Sequence, residues 1–341
     1  MKIKTPFLWF TQPLKGYPKP WHFFKIDGIM LNAYEILQNR SITKRLREIG
    51  VHRYMEFNGL IAMDSGGFLF MKKGTIDIEP EAILTLYEES KPNFSVVLDY
   101  PLSPNLSYKE MEKRLFKTLE NTKRMVEIRQ TSNPELIPVI HGYDLDLIRR
   151  YIQKLKKIGE FNIYGIGSLV PSVFNTKGVG GIYNVVKIVS FVKALLPTKI
   201  IHVFGVGSTL TMHLMFYAGA DSIDSSSWRS KAAFGAIQLQ GIGDRFITPR
   251  KRHKVYPILK KEEYEILEEC KCPACKKEGL EGLKSSFALR ALHNAWIYQK
   301  EIENVRSLIK TGEYKEYVKK VIGKTRFSKV LEIIDKFNFV A

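Results

Sequence analysis

Residues 136–170 read LIPVIHGYDLDLIRRYIQKLKKIGEFNIYGIGSLV, and this stretch decides the fold. Two runs that are apolar nearly throughout, 136–142 and 163–170, enclose an amphipathic segment at 144–158. A strand without polar alternation is one covered on both faces. A strand, a helix and a second strand of this kind make one parallel β/α unit.

The same pattern extends outward in both directions. Strand candidates are GIMLNAY (28–34), LIAMDSGG (60–67), FSVVLDY (94–100), KIIHVFGVG (199–207) and DSIDSSS (221–227). Helix-like segments lie between them at 78–90, 107–130, 180–196 and 209–219. Seven units in a chain of 341 residues favour an α/β fold of the closed (β/α)8 TIM-type barrel over an open sheet. The eighth strand is not evident. Residues 235–262 read as an irregular insertion or hairpin, and the chain from about 285 onward reads as helices. The expected division is a barrel over 1–262 and a metal-binding, helical subdomain over 263–341 that completes it.

Hydrophobic residues make up 45% of the chain, enough for a substantial core, and no apolar run reaches membrane-spanning length. The start, MKIKTPFLWFTQPLKGYPKP, is too broken by proline and polar residues for a signal peptide. The expectation is a cytoplasmic protein with no membrane partner. Net charge is +18. That excess suits a polyanionic partner, because phosphates neutralised by Lys and Arg release counterions. A lysine-rich solvated surface is the plainer explanation. The densest basic cluster is Arg250-Lys251-Arg252-His253-Lys254.

All three cysteines fall within Cys270-Lys271-Cys272-Pro273-Ala274-Cys275, and His293 follows on a predicted helix. Three thiolates at this spacing and one imidazole can complete a tetrahedron around Zn²⁺. They cannot all pair as disulfides. A closed Cys3His site is structural, since a catalytic zinc keeps one position open. Catalysis must therefore be sought elsewhere.

In such barrels the reacting groups stand at the C-terminal ends of the strands. Here those ends carry Asp64-Ser65-Gly66-Gly67-Phe68, Asp99-Tyr100-Pro101, His141-Gly142, Gly165-Ile166-Gly167-Ser168, Phe204-Gly205-Val206-Gly207, and Asp221 with Asp224. Singly, each has an ordinary reading. Asp64-Ser65-Gly66-Gly67 suits a turn and helix cap. Gly205-Val206-Gly207-Ser208 suits a phosphate-binding loop before a helix. Their shared position at strand ends favours a ring of carboxylates around one mouth. Asp221 lies three residues from Asp224, which places it on the opposite face of a strand.

From about Gly28 to His293 the sequence resembles the tRNA-guanine transglycosylases. The segments that carry the resemblance are MDSGGF (63–68), VVLDYP (96–101), GIGSLVP (165–171), HVFGVGS (202–208), DSIDSSS (221–227), CKCPAC (270–275) and LHN (292–294). GSLVP, FGVG and Asp224-Ser225 look closest to the archaeal branch, which inserts a 7-deazaguanine precursor into tRNA. The resemblance implies a (β/α)8 barrel with a zinc subdomain and exchange of a guanine base without backbone cleavage. It implies Asp224 as nucleophile on ribose C1′ and Asp64 as acid/base. It implies Asp99 as reader of the base edge, Ser65 as a further base-binding residue, and Phe68 and Phe204 as the aromatics that sandwich the base. Gly167, Ser168 and Leu169 match the segment beside the base carbonyl. Cys270, Cys272, Cys275 and His293 match the zinc ligands. The implied partners are tRNA and a free 7-deazaguanine, with a homodimer common in the family.

The chemistry agrees. A carboxylate captures oxocarbenium character at C1′, as in retaining glycosidases, while a second acid serves the departing and entering bases. The target nucleotide must leave its stack. The match departs at His141, where the family commonly has a glutamine that helps read the base; a neutral histidine cannot copy both functions of an amide. Archaeal members also often carry further RNA-binding domains beyond the last residue here. Three alternatives stay open: the same exchange in DNA, a non-catalytic partner subunit, and a barrel enzyme acting on a small phosphorylated metabolite.

Overall fold

The missing eighth strand is the pentapeptide Phe7–Thr11 (β1), FLWFT, near the N-terminus. It pairs in parallel with β2 (Gly28–Asn32), Phe10 against Ile29, and with β9 (Ser222–Ser225), Trp9 against Asp224. The first strand thus closes the ring between the second and the last. In the computed structural model, which describes residues 3–67, 78–174, 181–248 and 257–338, the remaining strands are β3 (Leu60–Asp64), β4 (Phe94–Val96), β5 (Glu135–Ile137), β6 (Val139–Ile140), β7 (Ile163–Ile166) and β8 (Ile200–Val203).

The order around the sheet is β5-β4-β3-β2-β1-β9-β8-β7-β6. β5 and β6 are one stave interrupted by Pro138. Its first half pairs with β4, its second half with β7, and the Pro138 carbonyl accepts the Gly165 N–H at 2.9 Å. Proline has no N–H to give a ladder, so the stave breaks there. Nine strand segments therefore form eight parallel staves, and the expected barrel is present. All seven strand stretches read from the sequence are strands. They are shorter than expected at their C-terminal ends, where the chain turns to form the mouth.

The unit at 136–170 shows how local chemistry builds the wall. Helix Leu145–Ile158 starts at Asp144, whose side chain accepts the Leu147 N–H, and buries Ile148, Tyr151, Ile152 and Leu155. Those positions form one stripe at helical spacing. A carboxylate at the N-cap satisfies an otherwise orphaned donor and complements the helix dipole.

Beyond the barrel, β10 (Ala236–Leu239) and β11 (Gly243–Phe246) form an antiparallel hairpin within the stretch read as an insertion. The helix Phe287–Thr311 then packs against helix Ser227–Ala233, β10 and β1. Its Arg306 bonds the carbonyls of Lys4 and Pro6 and the Asp27 carboxylate. The long helix Phe287–Thr311 thereby clamps the chain leading into the strand that closes the barrel. On its other face, buried Glu301 accepts from Tyr317 and pairs with His213, each at 2.7 Å. No described helix is long and apolar enough to cross a membrane.

Candidate active site

Every stave contributes to one cavity of about 320 Å³ at the C-terminal mouth, lined by Thr11, Asn32, Asp64, Asp99, Phe204 and Asp224 among others. The volume is at the lower end for small-ligand sites. Three aspartates separated by up to 160 positions of sequence share this space.

Asp224 is 8% exposed, and both of its oxygens receive donors. The Thr11 hydroxyl donates to Oδ2 at 3.1 Å and the Gly205 N–H donates to Oδ1 at 2.6 Å. Gly205 has φ +72°, the left-handed region that favours glycine, and this conformation aims its N–H at the carboxylate. His202 stands beside Asp224 at 3.5 Å, not aligned as a hydrogen bond, and its Nδ1 meets the Ser222 hydroxyl at 2.8 Å.

Asp64 is in a different electrostatic state. Burial, reinforced by the negative charges of Asp99 and Asp224, pushes its carboxyl up to about 8. The Gly66 N–H, 3.3 Å from Oδ2, only partly opposes this. Near neutral pH Asp64 therefore holds a proton. A strongly shifted carboxyl in a cleft is the usual mark of an acid/base candidate.

Asp99 accepts the Ser65 hydroxyl on Oδ1 at 2.9 Å, and His141 Nε2 lies 2.9 Å from Oδ2. Phe204 lines the cavity, and its ring stands edge-on to His202 at 4.3 Å. Gly167 and Ser168 also line it. Ser65, Leu169 and His141 do not; all three are buried behind the wall. Phe68 and the basic cluster Arg250–Lys254 lie outside the described residues. Asp221 faces away from the mouth, pairing with Lys193 at 2.7 Å and accepting the Ile201 N–H.

Cys270, Cys272, Cys275 and His293 converge, with their ligand atoms all within 4.8 Å of one another. His293 Nδ1 is 3.7, 3.5 and 3.4 Å from the three sulfurs in turn. A tetrahedral zinc with bonds of about 2.3 Å to sulfur and about 2.0 Å to nitrogen sets these atoms about 3.5 Å apart. His293 Nε2 donates to the Gln238 carbonyl at 2.9 Å, which leaves Nδ1 free to ligate. The donor set fits such an ion. Gln238 in turn reaches the Tyr298 hydroxyl, which donates to the Gly207 carbonyl in a mouth loop.

Sequence reading missed Thr11, His202 and Tyr143. Thr11 ends the unrecognised strand. His202 had a usable signal, since alternation puts it on the same face as Phe204. Tyr143 shares its hydroxyl between the carbonyls of Leu102 and Ser168, and spacing gives no hint of that.

The comparisons with known proteins agree with this geometry. The profile of the family described as queuine tRNA-ribosyltransferase matches residues 2–326. Among relatives named tRNA-guanine(15) transglycosylase, that of Pyrococcus furiosus is 30% identical over 87% of this chain and 48% of its own length. That of Methanopyrus kandleri is 27% identical over 94% and 67% respectively, and that of Nanoarchaeum equitans 29% over 93% and 71%. The chain spans about half the length of the Pyrococcus relatives. The family profile covers nearly the whole barrel and the Cys3His region alike, and the chain belongs to the queuine tRNA-ribosyltransferase family.

Proposed function

We propose that the chain exchanges a guanine in tRNA for a free 7-deazaguanine base through a covalent bond between Asp224 and ribose. The observation that carries this reading is the facing of two unlike carboxyls across one cavity. Asp64 is protonated near neutral pH, and Asp224 receives donors on both oxygens. The names of the archaeal relatives support tRNA as the polymer.

Asp224 Oδ attacks C1′ as the C1′–N9 bond breaks, and N9 of the departing guanine takes the proton from Asp64. The ribose is then esterified to Asp224 with the phosphodiester backbone intact. The incoming base gives its N9 proton to Asp64, now a carboxylate, and N9 attacks C1′ to release Asp224. Two inversions keep the sugar configuration, as in retaining glycosidases. Because Asp64 holds its proton until the base departs, it adds no negative charge to the cavity before the bond breaks. Phe204 offers a face to a planar base, and Asp99 offers an acceptor to its N–H edge.

Cys270, Cys272, Cys275 and His293 would hold one structural Zn²⁺, which supplies cohesion and no open position for chemistry. The ion would anchor His293, and through Gln238 and Tyr298 the Gly207 loop.

The test is an exchange assay in which labelled guanine or 7-cyano-7-deazaguanine is offered with tRNA and, separately, with duplex and single-stranded DNA. Incorporation into tRNA is expected. Incorporation into DNA alone overturns the polymer assignment, and none into either overturns the reaction.

A further inference from the structure

Three mouth loops meet behind the wall of the cavity, and one buried imidazole joins them. His141, 1% exposed, follows β6. Its Nε2 faces Asp99 Oδ2 at 2.9 Å, and its Nδ1 meets the Ser168 hydroxyl at 2.8 Å. Its ring lies directly under Gly167, where an added Cβ would stand 2.6 Å from Cε1. The ring therefore touches both polar elements of that wall from the side away from the cavity.

Ser168 shows why this contact matters. It is one of three non-glycine residues with positive φ among those described, at +65°. Such a conformation persists only where the surroundings enforce it. Here the Leu102 N–H donates to its hydroxyl at 2.7 Å, and the Tyr143 hydroxyl bonds its carbonyl at 3.0 Å. His141 supplies the third tie. The Ser168 hydroxyl meets the ring at Nδ1, while Nε2 stands close against Asp99 Oδ2 without being aligned as a hydrogen bond. One buried ring thus stands against both neighbours.

We propose that His141 is a positioning residue, which holds Asp99 and the Gly167–Ser168 turn in register so that they present one rigid acceptor-and-donor edge to a purine. It does not itself contact the base. The inference rests on the base-exchange reading above. Its consequence is selectivity: fixed placement of Asp99 rewards a base with both a ring N–H and an exocyclic amine, and a loose one does not.

The experiment is steady-state exchange by wild type, His141→Phe, His141→Gln and Ser168→Gly, with guanine and hypoxanthine as competing bases and tRNA held constant. His141→Phe should raise KM for guanine about ten-fold with a smaller change in kcat. It should also shrink the preference for guanine over hypoxanthine by a similar factor. His141→Gln, whose amide can reach Asp99, should recover part of that preference. Ser168→Gly removes the hydroxyl tie while relieving the positive φ, so it should keep or raise Tm and still raise KM. A His141→Phe enzyme with wild-type KM and selectivity overturns the proposal, as does a Ser168→Gly enzyme indistinguishable from wild type. Absence of exchange by the wild-type protein instead overturns the base-exchange reading.

Discussion

The Thr11 hydroxyl in β1 donates to Asp224 Oδ2 in β9 over 3.1 Å, across 213 positions of sequence. The strand that closes the barrel is thus also the one that orients the candidate nucleophile. Closure and chemistry depend on the same pairing, Trp9 against Asp224 and Phe10 against Ser225.

Removing that hydroxyl tests the arrangement directly. Thr11→Val keeps the shape and deletes one donor to a carboxylate, a bond worth about 1.5–3 kcal/mol. Exchange kcat should fall about ten-fold or more, with little change in tRNA affinity. Asp224→Asn should abolish exchange while leaving binding by filter retention near wild type. If Asp224→Asn still exchanges bases, the nucleophile lies elsewhere.

Asp64 carries a pH signature of defined sign. Its folded-state carboxyl is raised to about 8 from the ordinary value of 3.8. The folded protein therefore binds a proton that the unfolded chain releases between those values, and stability falls as pH rises from about 4 to about 8. Asp64→Asn should remove this penalty. Its Tm should exceed wild type by about 2 °C or more at pH 8 and match it near pH 3. Exchange should be lost at both. In the wild type, the guanine-release step should decline above about pH 8 as the acid ionises. A flat alkaline limb to pH 9.5 would rule out Asp64 as the proton donor.

Metal content bears on the Cys3His cluster. Purified protein should hold about one zinc per chain. Cys272→Ser, or prolonged chelation, should lower Tm and raise hydrogen exchange along Pro273–Ser285 and at the Gly207 loop. The second effect follows from the path His293–Gln238–Tyr298–Gly207. Protection lost at the helix but unchanged at the loop would show that this path is not coupled.

The helix Phe287–Thr311 is held to the barrel partly by the buried pair His213–Glu301, both fully enclosed. Glu301→Ala leaves the His213 ring and the Tyr317 hydroxyl without their shared acceptor. Breaking a buried pair from one side costs about 3–5 kcal/mol. Urea unfolding should register a loss of that order. A change under about 0.5 kcal/mol would mean that water replaces the carboxylate.

The repeating wall of this protein was legible from sequence alone because its signals are local. Continuous apolar runs, amphipathic stretches such as 144–158 with Asp144 at their start, and the Cys270–Cys275 spacing need no distant partner to be read. The strand ends likewise exposed Asp64, Asp99, Phe204 and Asp224 as one set. Only the tertiary structure identified Phe7–Thr11 as a strand: five residues are too few to show a period, and its pairing partners begin at Gly28 and Ser222. Only the tertiary structure lets Asp64 keep a proton near neutral pH, because burial and the negative charges of Asp99 and Asp224 raise its carboxyl. It also turned His141 away from the cavity and against Asp99 and Ser168. Which way a buried side chain points depends on the neighbours it meets after folding, and those neighbours come from β4 and β7, on either side of its own stave.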